Sequence, residues 1–417
     1  MIIPLISKAQ IATFLSCLLM ASLLLSPFLL SLSMMGLLIL GLLNLDQIDG
    51  RYRLSLNKDL LVRLRDARKY LSFFVIPLFF FIVLLSFWQT IGDSSYFLER
   101  LRIKLPFLIL PVAFLGLPPF SKRQVNLLLF FLLLFVTICS LGVGINYAIH
   151  FDAINAKLGR GQTMTTPGNH IRFSILTAVS IIGGIYLIVE NYYWKRKFER
   201  ILIKGLTFYL FVFIHLLSVK SGILCLYVAL GILIGRYMYL SKKYMIGISA
   251  LLIIPIIFML AFSTMPSFKQ KINYMIYDYQ QYAKGAGGQY ADAGRTTSLK
   301  AGYELFMQAP LFGTGAGNLR WKIKELYKEK YDDYISPLMP HNQFLFVLAG
   351  TGLFGFSFFL IAFLVPLFHR NAYRHHFFLG FYMIFLGAFM IEHTIESAVG
   401  VGTFIFFLLL ILNSEME

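Results

Sequence analysis

The chain has 417 residues, 58% of them hydrophobic, and a mean hydropathy of +0.73. Length alone would allow two or three soluble domains, but this apolar content excludes an ordinary soluble fold. The formal charge of +17 does not imply a nucleic-acid partner, because a basic membrane protein draws its excess from cytoplasmic anchoring residues and from anionic ligands.

A bilayer core needs roughly 20 apolar residues per helical span. Breaking the chain at charged and Pro/Gly-rich stretches predicts twelve spans, the first six over 11–24, 27–45, 71–91, 105–117, 124–146 and 171–190. The other six run over 201–219, 222–240, 244–262, 343–366, 375–392 and 396–413. The first is read as a retained helix, since no small-residue cleavage site separates it from the next apolar run. The fourth is short and contains Pro106 and Pro111. Cys17, Cys139 and Cys225 all fall inside apolar runs, where a thiol behaves as a small hydrophobe, so no disulfide or metal framework is implied.

Charge sets the orientation. With the amino terminus inside, the cytoplasmic loops collect Arg51, Arg53, Lys58, Arg63, Arg65, Arg68, Lys69, Lys122, Arg123 and the run Lys195 to Arg200, then Arg236, Lys242, Lys243, Arg370 and Arg374. The short outside loops keep Arg100, Arg102, Lys104, Lys157 and Arg160. An even count puts both termini in the cytoplasm. The expected organisation is therefore all-α and polytopic: residues 1–262 with nine spans, an outside loop over 263–341 containing short helices, and three spans over 342–417.

That loop carries ten Lys/Arg. Long translocated loops escape the charge rule, so either an anionic substrate or a solvated amphipathic surface must account for them. Its first part is tyrosine-rich, with Tyr274, Tyr277, Tyr279, Tyr282 and Tyr290 ahead of a glycine-rich stretch after Lys284. Such residues suit a membrane interface and also suit stacking on sugars. From Arg295 the pattern turns helical through Leu299, Tyr303 and Phe306 until Pro310. This predicts Arg295 in a first helical turn, where amides, dipole and guanidinium together would clamp a phosphate. Gly313, Gly315 and Gly317 then form a glycine-rich turn ending at Asn318. No Gly-Lys-Ser/Thr follows, so it is not a Walker loop; a compact turn that lets backbone approach backbone is the simpler reading. Trp321 to Tyr334 reads as a lysine-rich amphipathic helix suited to a membrane surface. The loop closes on Pro340-His341-Asn342. A histidine there is either a helix-entrance residue or a base, and its company of arginine and glycine turn favours the base.

At these residues the sequence resembles the O-antigen ligase and O-antigen polymerase superfamily. Three stretches carry the likeness: Gly294-Arg295, Ala309 to Asn318, and His341 to Gly355 with its glycines 350, 352 and 355. Members tend to have a Ser-x-Ser-Arg element at the outer end of an earlier helix, whose arginine is taken to contact a lipid pyrophosphate. Here Leu217 to Gly222 places Lys220 at that point, which keeps the charge and loses the fork. Arg172, in the run Asn169 to Ser174, is a second candidate cation.

The resemblance implies a membrane-embedded glycosyltransferase that moves a glycan from an undecaprenyl pyrophosphate carrier to a lipid A core sugar, on the periplasmic side of a bacterial inner membrane. Arg295, Lys220 and Arg172 would bind pyrophosphate and His341 would act as general base, a task suited to a group titrating near neutrality. Asn342, Gly313, Gly315, Gly317, Glu392 and Glu396 would support them. Glu392, His393 and Glu396 sit at the turn between the last two spans, where they would orient His341, receive an acceptor or form an ordinary polar turn. No Asp-x-Asp or carboxylate cluster suggests a metal, Asp292 being the lone acid near Arg295. Expected partners are the lipid-linked glycan, the core acceptor and membrane lipids, with no cofactor and no nucleic acid. Two alternatives stay open: a polymerase using the same donor, and a flippase for the same lipid-linked glycan. The flippase would place ionisable groups near the bilayer midplane and show internal repeats. His215 is the one midspan candidate, and no repeat is evident.

Overall fold

A computed structural model of the chain describes residues 7–48, 51–91, 93–284, 291–330 and 336–414. The glycine-rich stretch 285–288, Tyr290 and Tyr334 lie outside them, as does the side chain of Asp292.

The chain opens with α1 (Lys8–Leu25) and α2 (Pro27–Leu42), followed by an antiparallel hairpin of β1 (Leu43–Ile48) and β2 (Arg51–Leu56), with Leu43 opposite Leu56 and Ile48 opposite Arg51. This hairpin is the one departure from the expected all-α class among the described residues, and it shortens the second span by three residues. Next come α3 (Lys58–Arg65), α4 (Leu71–Leu85), α5 (Ser94–Lys104), α6 (Pro106–Gly116), α7 (Lys122–Ile149), α8 (Phe151–Leu158) and α9 (His170–Val189). The second half holds α10 (Glu199–Leu217), α11 (Lys220–Ser241), α12 (Tyr244–Thr264), α13 (Pro266–Ala283), α14 (Ala291–Gln308) and α15 (Leu319–Lys330). It ends with α16 (Gln343–Phe368), α17 (His376–Ile391) and α18 (Ala398–Leu412).

Each of the twelve expected spans falls on one of these helices, and eight helices are long and apolar enough to cross a membrane. The remaining four are α2, α6, α17 and α18, with 16, 11, 16 and 15 residues. The apolar helices make this a multi-pass membrane protein, with length and composition alone carrying eight crossings.

Helix α18 is buried at every residue from Gly400 to Leu412, and α9 is buried along most of its length. A helix apolar on all sides needs apolar neighbours all round, and these two form the centre of the bundle. Helix α9 packs on α7, α10, α11 and α17, while α4 packs on α16 and α2 on α6. Close approach depends on small residues: a Cβ on Gly41 or Gly116 would run into the facing backbone of α6 or α2. Asn57 ties that crossing, donating through Nδ2 to the carbonyls of both Gly41 and Gly116 at 2.7 Å. By contrast α12 is mostly exposed, contacting chiefly α11 and α13.

Helix α16 is broken at Gly352, whose φ of 64° and ψ of −170° are open to glycine and almost nothing else. The connection between α14 and α15 splices into the break. The amides of Leu353 and Phe354 donate to Pro310 and Leu311 carbonyls at 2.8 and 3.0 Å, and those of Thr314 and Gly315 donate to Ala349 and Gly350 carbonyls at 2.9 and 3.0 Å. Backbone groups freed by the break are thereby satisfied, as a low-dielectric surrounding demands. A Cβ on Gly313 would fall 2.5 Å from the amides of Thr351 and Gly352.

Two expectations for the loop change. Helix α14 begins at Ala291 rather than at Arg295, so Arg295 stands in the second turn and the first-turn clamp does not apply. Helix α15 does not rest its apolar face on a membrane surface: Leu319, Ile323, Leu326 and Tyr327 are buried with Ala301 and Leu305 of α14 and Phe346 and Ala349 of α16.

Candidate active site

Helices α9, α16 and α18 begin at the same end of the bundle, and each is capped by a polar side chain. Asn169 accepts from the amides of Ile171 and Arg172, Asn342 from Leu345 and Ser397 from Gly400. Capping fixes where each helix starts, and so fixes His170, His341 and the turn before Ser397. Asn342 also donates through Nδ2 to the Met390 carbonyl at 2.9 Å, and Gln343 holds both the Ile395 amide at 3.0 Å and Glu396 Oε1 at 2.8 Å. The entrance of α16 is thus lashed to the turn between α17 and α18.

Helix α14 lies over this junction. Arg295 Nη2 donates to Glu392 Oε1 at 2.8 Å, and one turn on, Ser298 Oγ lies 3.3 Å from His341 Nδ1. The His341 and His393 rings meet edge to face at 5.2 Å, and Phe346 stacks on His393 at 5.8 Å. His393 Nδ1 is buried without a hydrogen-bond partner among the described residues.

Burial governs protonation here. It pushes the His341 imidazole down to about 4, with Arg295 and Arg172 adding repulsion. His393 is lowered to about 4 by burial and by His341. Both rings are neutral at pH 7, and His341 departs from the expected titration near neutrality because desolvation disfavours its cation. Glu392 is raised by burial, against the pull of Arg295 and Arg172.

On its other side Arg295 lines a cavity of about 250 Å³ with Lys220, Lys271, His170, Tyr274 and Gly161. Lys220 reaches it because Ser218 turns into the left-handed region, at φ 56°, between α10 and α11. The structure therefore brings together Arg295 with Lys220 in the cavity, and Arg295 with His341, Asn342 and Glu392 beside it. Arg172 does not line that cavity: its Nε donates to Ser397 Oγ at 3.1 Å and its Nη2 to the His393 carbonyl at 3.5 Å, and it lines a separate recess with Leu23 and Leu24. Glu396 points away into a buried network, 2.6 Å from Lys104 Nζ and 3.6 Å from Arg100. Burial would raise its carboxyl, but Lys104, Arg100 and Gln343 outweigh that and hold it below the usual range. Gly313, Gly315 and Gly317 belong to the splice and to its contacts with Gln89, Thr90 and Phe97, not to the cavity. His215 is satisfied by the Phe211 carbonyl and the Tyr227 hydroxyl, each at 2.8 Å.

Sequence reading missed Ser298, Gln343 and Lys271, and assigned Lys104 and Arg100 to membrane orientation alone. Lys271 lies three residues before Tyr274, the first of those interfacial tyrosines, which also lines the cavity; the packing of α13 against α8 and α14 turns that face inward.

His341, Glu392 and His393 also bring ligand atoms within 4.8 Å of one another, a spacing able to hold a metal ion. Glu392 is already engaged by Arg295, and Arg172 adds a second cationic field to the cluster. A divalent cation would have to compete with both.

A comparison with curated proteins found no match. Residues 205–360, from α10 through the break in α16, match the protein-family model described as O-Antigen ligase, and over this part the chain is similar to that family.

Proposed function

We propose that the protein is a glycan ligase acting on a lipid-linked donor, with undecaprenyl pyrophosphate as carrier and a lipid A core sugar as acceptor, at the periplasmic face of a bacterial inner membrane. The observation that carries this reading is the position of Arg295 between two compartments. On one side it joins Lys220, Lys271 and His170 around a cavity; on the other it meets Glu392 beside His341. A pyrophosphate in the cavity would meet fixed cations at the place where the leaving group gathers negative charge. An acceptor hydroxyl near His341 would lose its proton to the neutral imidazole as its oxygen attacks the anomeric carbon. The carbon–oxygen bond to phosphate then breaks, and the electron pair leaves with the carrier pyrophosphate. Ser298 and His393 hold the imidazole in place, and the unpartnered His393 Nδ1 offers the acceptor a further hydrogen bond.

The two guanidinium groups beside the cluster favour cationic side chains over a metal for stabilising the leaving group, so transfer is expected to survive chelation. A polymerase would use the same donor cavity and differ in the acceptor. A flippase is disfavoured because the cations of the donor cavity lie together at one rim and His215 is internally satisfied.

The test is transfer from a lipid-linked glycan to lipid A core by the purified protein with chelator present, comparing wild type with Arg295→Ala and His341→Ala. Loss of core modification in both folded variants supports the ligase. Lengthening of the carrier-linked glycan without core modification identifies the polymerase instead. Glycolipid movement across the bilayer without either product overturns both.

A further inference from the structure

A further cavity lies at the opposite end of the helices that build the site. Its volume is about 530 Å³, twice that of the cavity beside Arg295. It is lined by Lys122, Glu190, Arg370, Arg374, His375 and His376 among others. Helix α9 begins at the candidate active site and ends here at Glu190, while α17 begins here and ends at Glu392.

Its charge is unbalanced. Three fixed cations, Lys122, Arg370 and Arg374, face one carboxylate, and that carboxylate is already taken by Lys122 at 2.7 Å. Among the described residues no acid pairs with Arg370 or Arg374. The turn that carries them is held in a costly shape: Arg370 and Asn371 both adopt left-handed backbone, at φ 55° and 57°. Arg236 of α11 secures the turn by donating to the carbonyls of Tyr373 and Arg374. Orientation charges require only that lysine and arginine lie at this end; they do not require that these cations ring one concavity on a turn braced by a third arginine.

We propose that this cavity binds a phosphate ester, with the guanidinium forks of Arg370 and Arg374 and the ammonium of Lys122 as its ligands. The source fitting its place at the ends of membrane helices is the headgroup of an anionic phospholipid in the adjoining leaflet. A soluble phosphate compound offers the same chemistry. The inference stands independently of the proposed transfer reaction.

The experiment uses the full chain purified in detergent and titrated separately with phosphatidylglycerol, phosphatidylcholine and inorganic phosphate, read by native mass spectrometry and by the thermal unfolding midpoint. Phosphatidylglycerol is expected to bind wild type at least tenfold more tightly than Arg370→Gln/Arg374→Gln, and phosphatidylcholine to bind neither. Lys122→Gln supplies a second disruption from a different helix. Lys242→Gln/Lys243→Gln removes as much charge at the same end without touching the cavity, and should change affinity less than twofold. Displacement of phosphatidylglycerol by millimolar inorganic phosphate would support the site with a soluble ligand. Equal phosphatidylglycerol binding by wild type and the arginine double variant, or equal losses in the arginine and lysine double variants, would overturn the proposal.

Discussion

Arg295 reaches Glu392 at 2.8 Å across 97 residues of sequence, and the same guanidinium closes one wall of the cavity shared by Lys220 and Lys271. Glu392 is nearly buried while about a third of the Arg295 side chain stays exposed. The carboxylate therefore acts as an anchor that leaves part of the guanidinium free for a ligand.

Removing the cation should cost more than removing its anchor. Arg295→Ala is expected to lower kcat about 10² to 10³-fold, the usual effect of losing one preorganised group that stabilises developing negative charge. Arg295→Lys keeps the charge without the fork and should fall between. Glu392→Gln leaves Arg295 in place but loosened, so a loss of about tenfold is expected. Steady-state transfer kinetics on folded variants check the order; an equal loss in Arg295→Ala and Arg295→Lys would show that geometry, not charge, dominates.

The histidine pair predicts an acid limit. His341 and His393 are held near about 4 against an ordinary 6.5, chiefly by burial. Between those values the unfolded chain binds more protons than the folded one, so stability falls as pH drops from about 6.5 toward about 4 and levels off below. Activity follows a related logic: kcat/KM should keep its basic plateau down to about pH 5 and fall through about 4 as His341 protonates. A bound pyrophosphate adds negative charge near the ring and favours the imidazolium, so the acid limb of kcat should lie above that of kcat/KM. A pH profile with saturating and subsaturating donor separates the two limbs, and coincident limbs would place the anion far from His341.

How much of this was legible beforehand differs between elements. Apolar runs of nearly full span length located the long helices, because nothing but a buried or lipid-facing helix accommodates them. The β1–β2 hairpin was missed although Asp49-Gly50 is a strong turn signal, since charge was read there as loop. Arg295 and His341 stood out by residue type, and Lys220 by position. Ser298, Gln343 and Lys271 did not, because each acquires meaning only from the residue it faces: His341, Glu396 and the cavity respectively. The glycine run at 313–317 read as a close-approach turn, as the splice shows, but its partner, the break at Gly352, did not stand out, because glycines 350, 352 and 355 sit in an apolar run that reads as one continuous helix.

Glu396 should prove structural. It and Lys104 are both about 3% exposed and 2.6 Å apart, with Arg100 alongside. Glu396→Leu strands two cations in a dry site and is expected to cost about 3–5 kcal/mol, whereas Glu396→Leu with Lys104→Met removes the closest charge as well and should recover much of the loss. Thermal or denaturant unfolding of the two single variants and the double variant gives the coupling. Additive losses would mean that the pair is solvated in the membrane.

The splice at Gly352 supplies the sharpest steric test. Its φ of 64° with ψ near −170° is closed to residues with a Cβ, and a methyl there would also strike the Leu311 backbone. Gly352→Ala is therefore expected to destabilise by about 1–3 kcal/mol from backbone strain alone, with the clash adding to it. Gly313→Ala should behave similarly, its Cβ falling 2.5 Å from two amides of α16. Gly142, inside α7, has open space around its Cβ position, and Ala there should stabilise by about 0.4–1 kcal/mol through a stiffer unfolded chain and better helix propensity. Melting temperatures of the three variants in one detergent settle the comparison, since any general sensitivity of the membrane helices to alanine would lower Gly142→Ala too. If Gly352→Ala melts with wild type, the loop does not dock in the break, and the placement of α14 over His341 loses its main support.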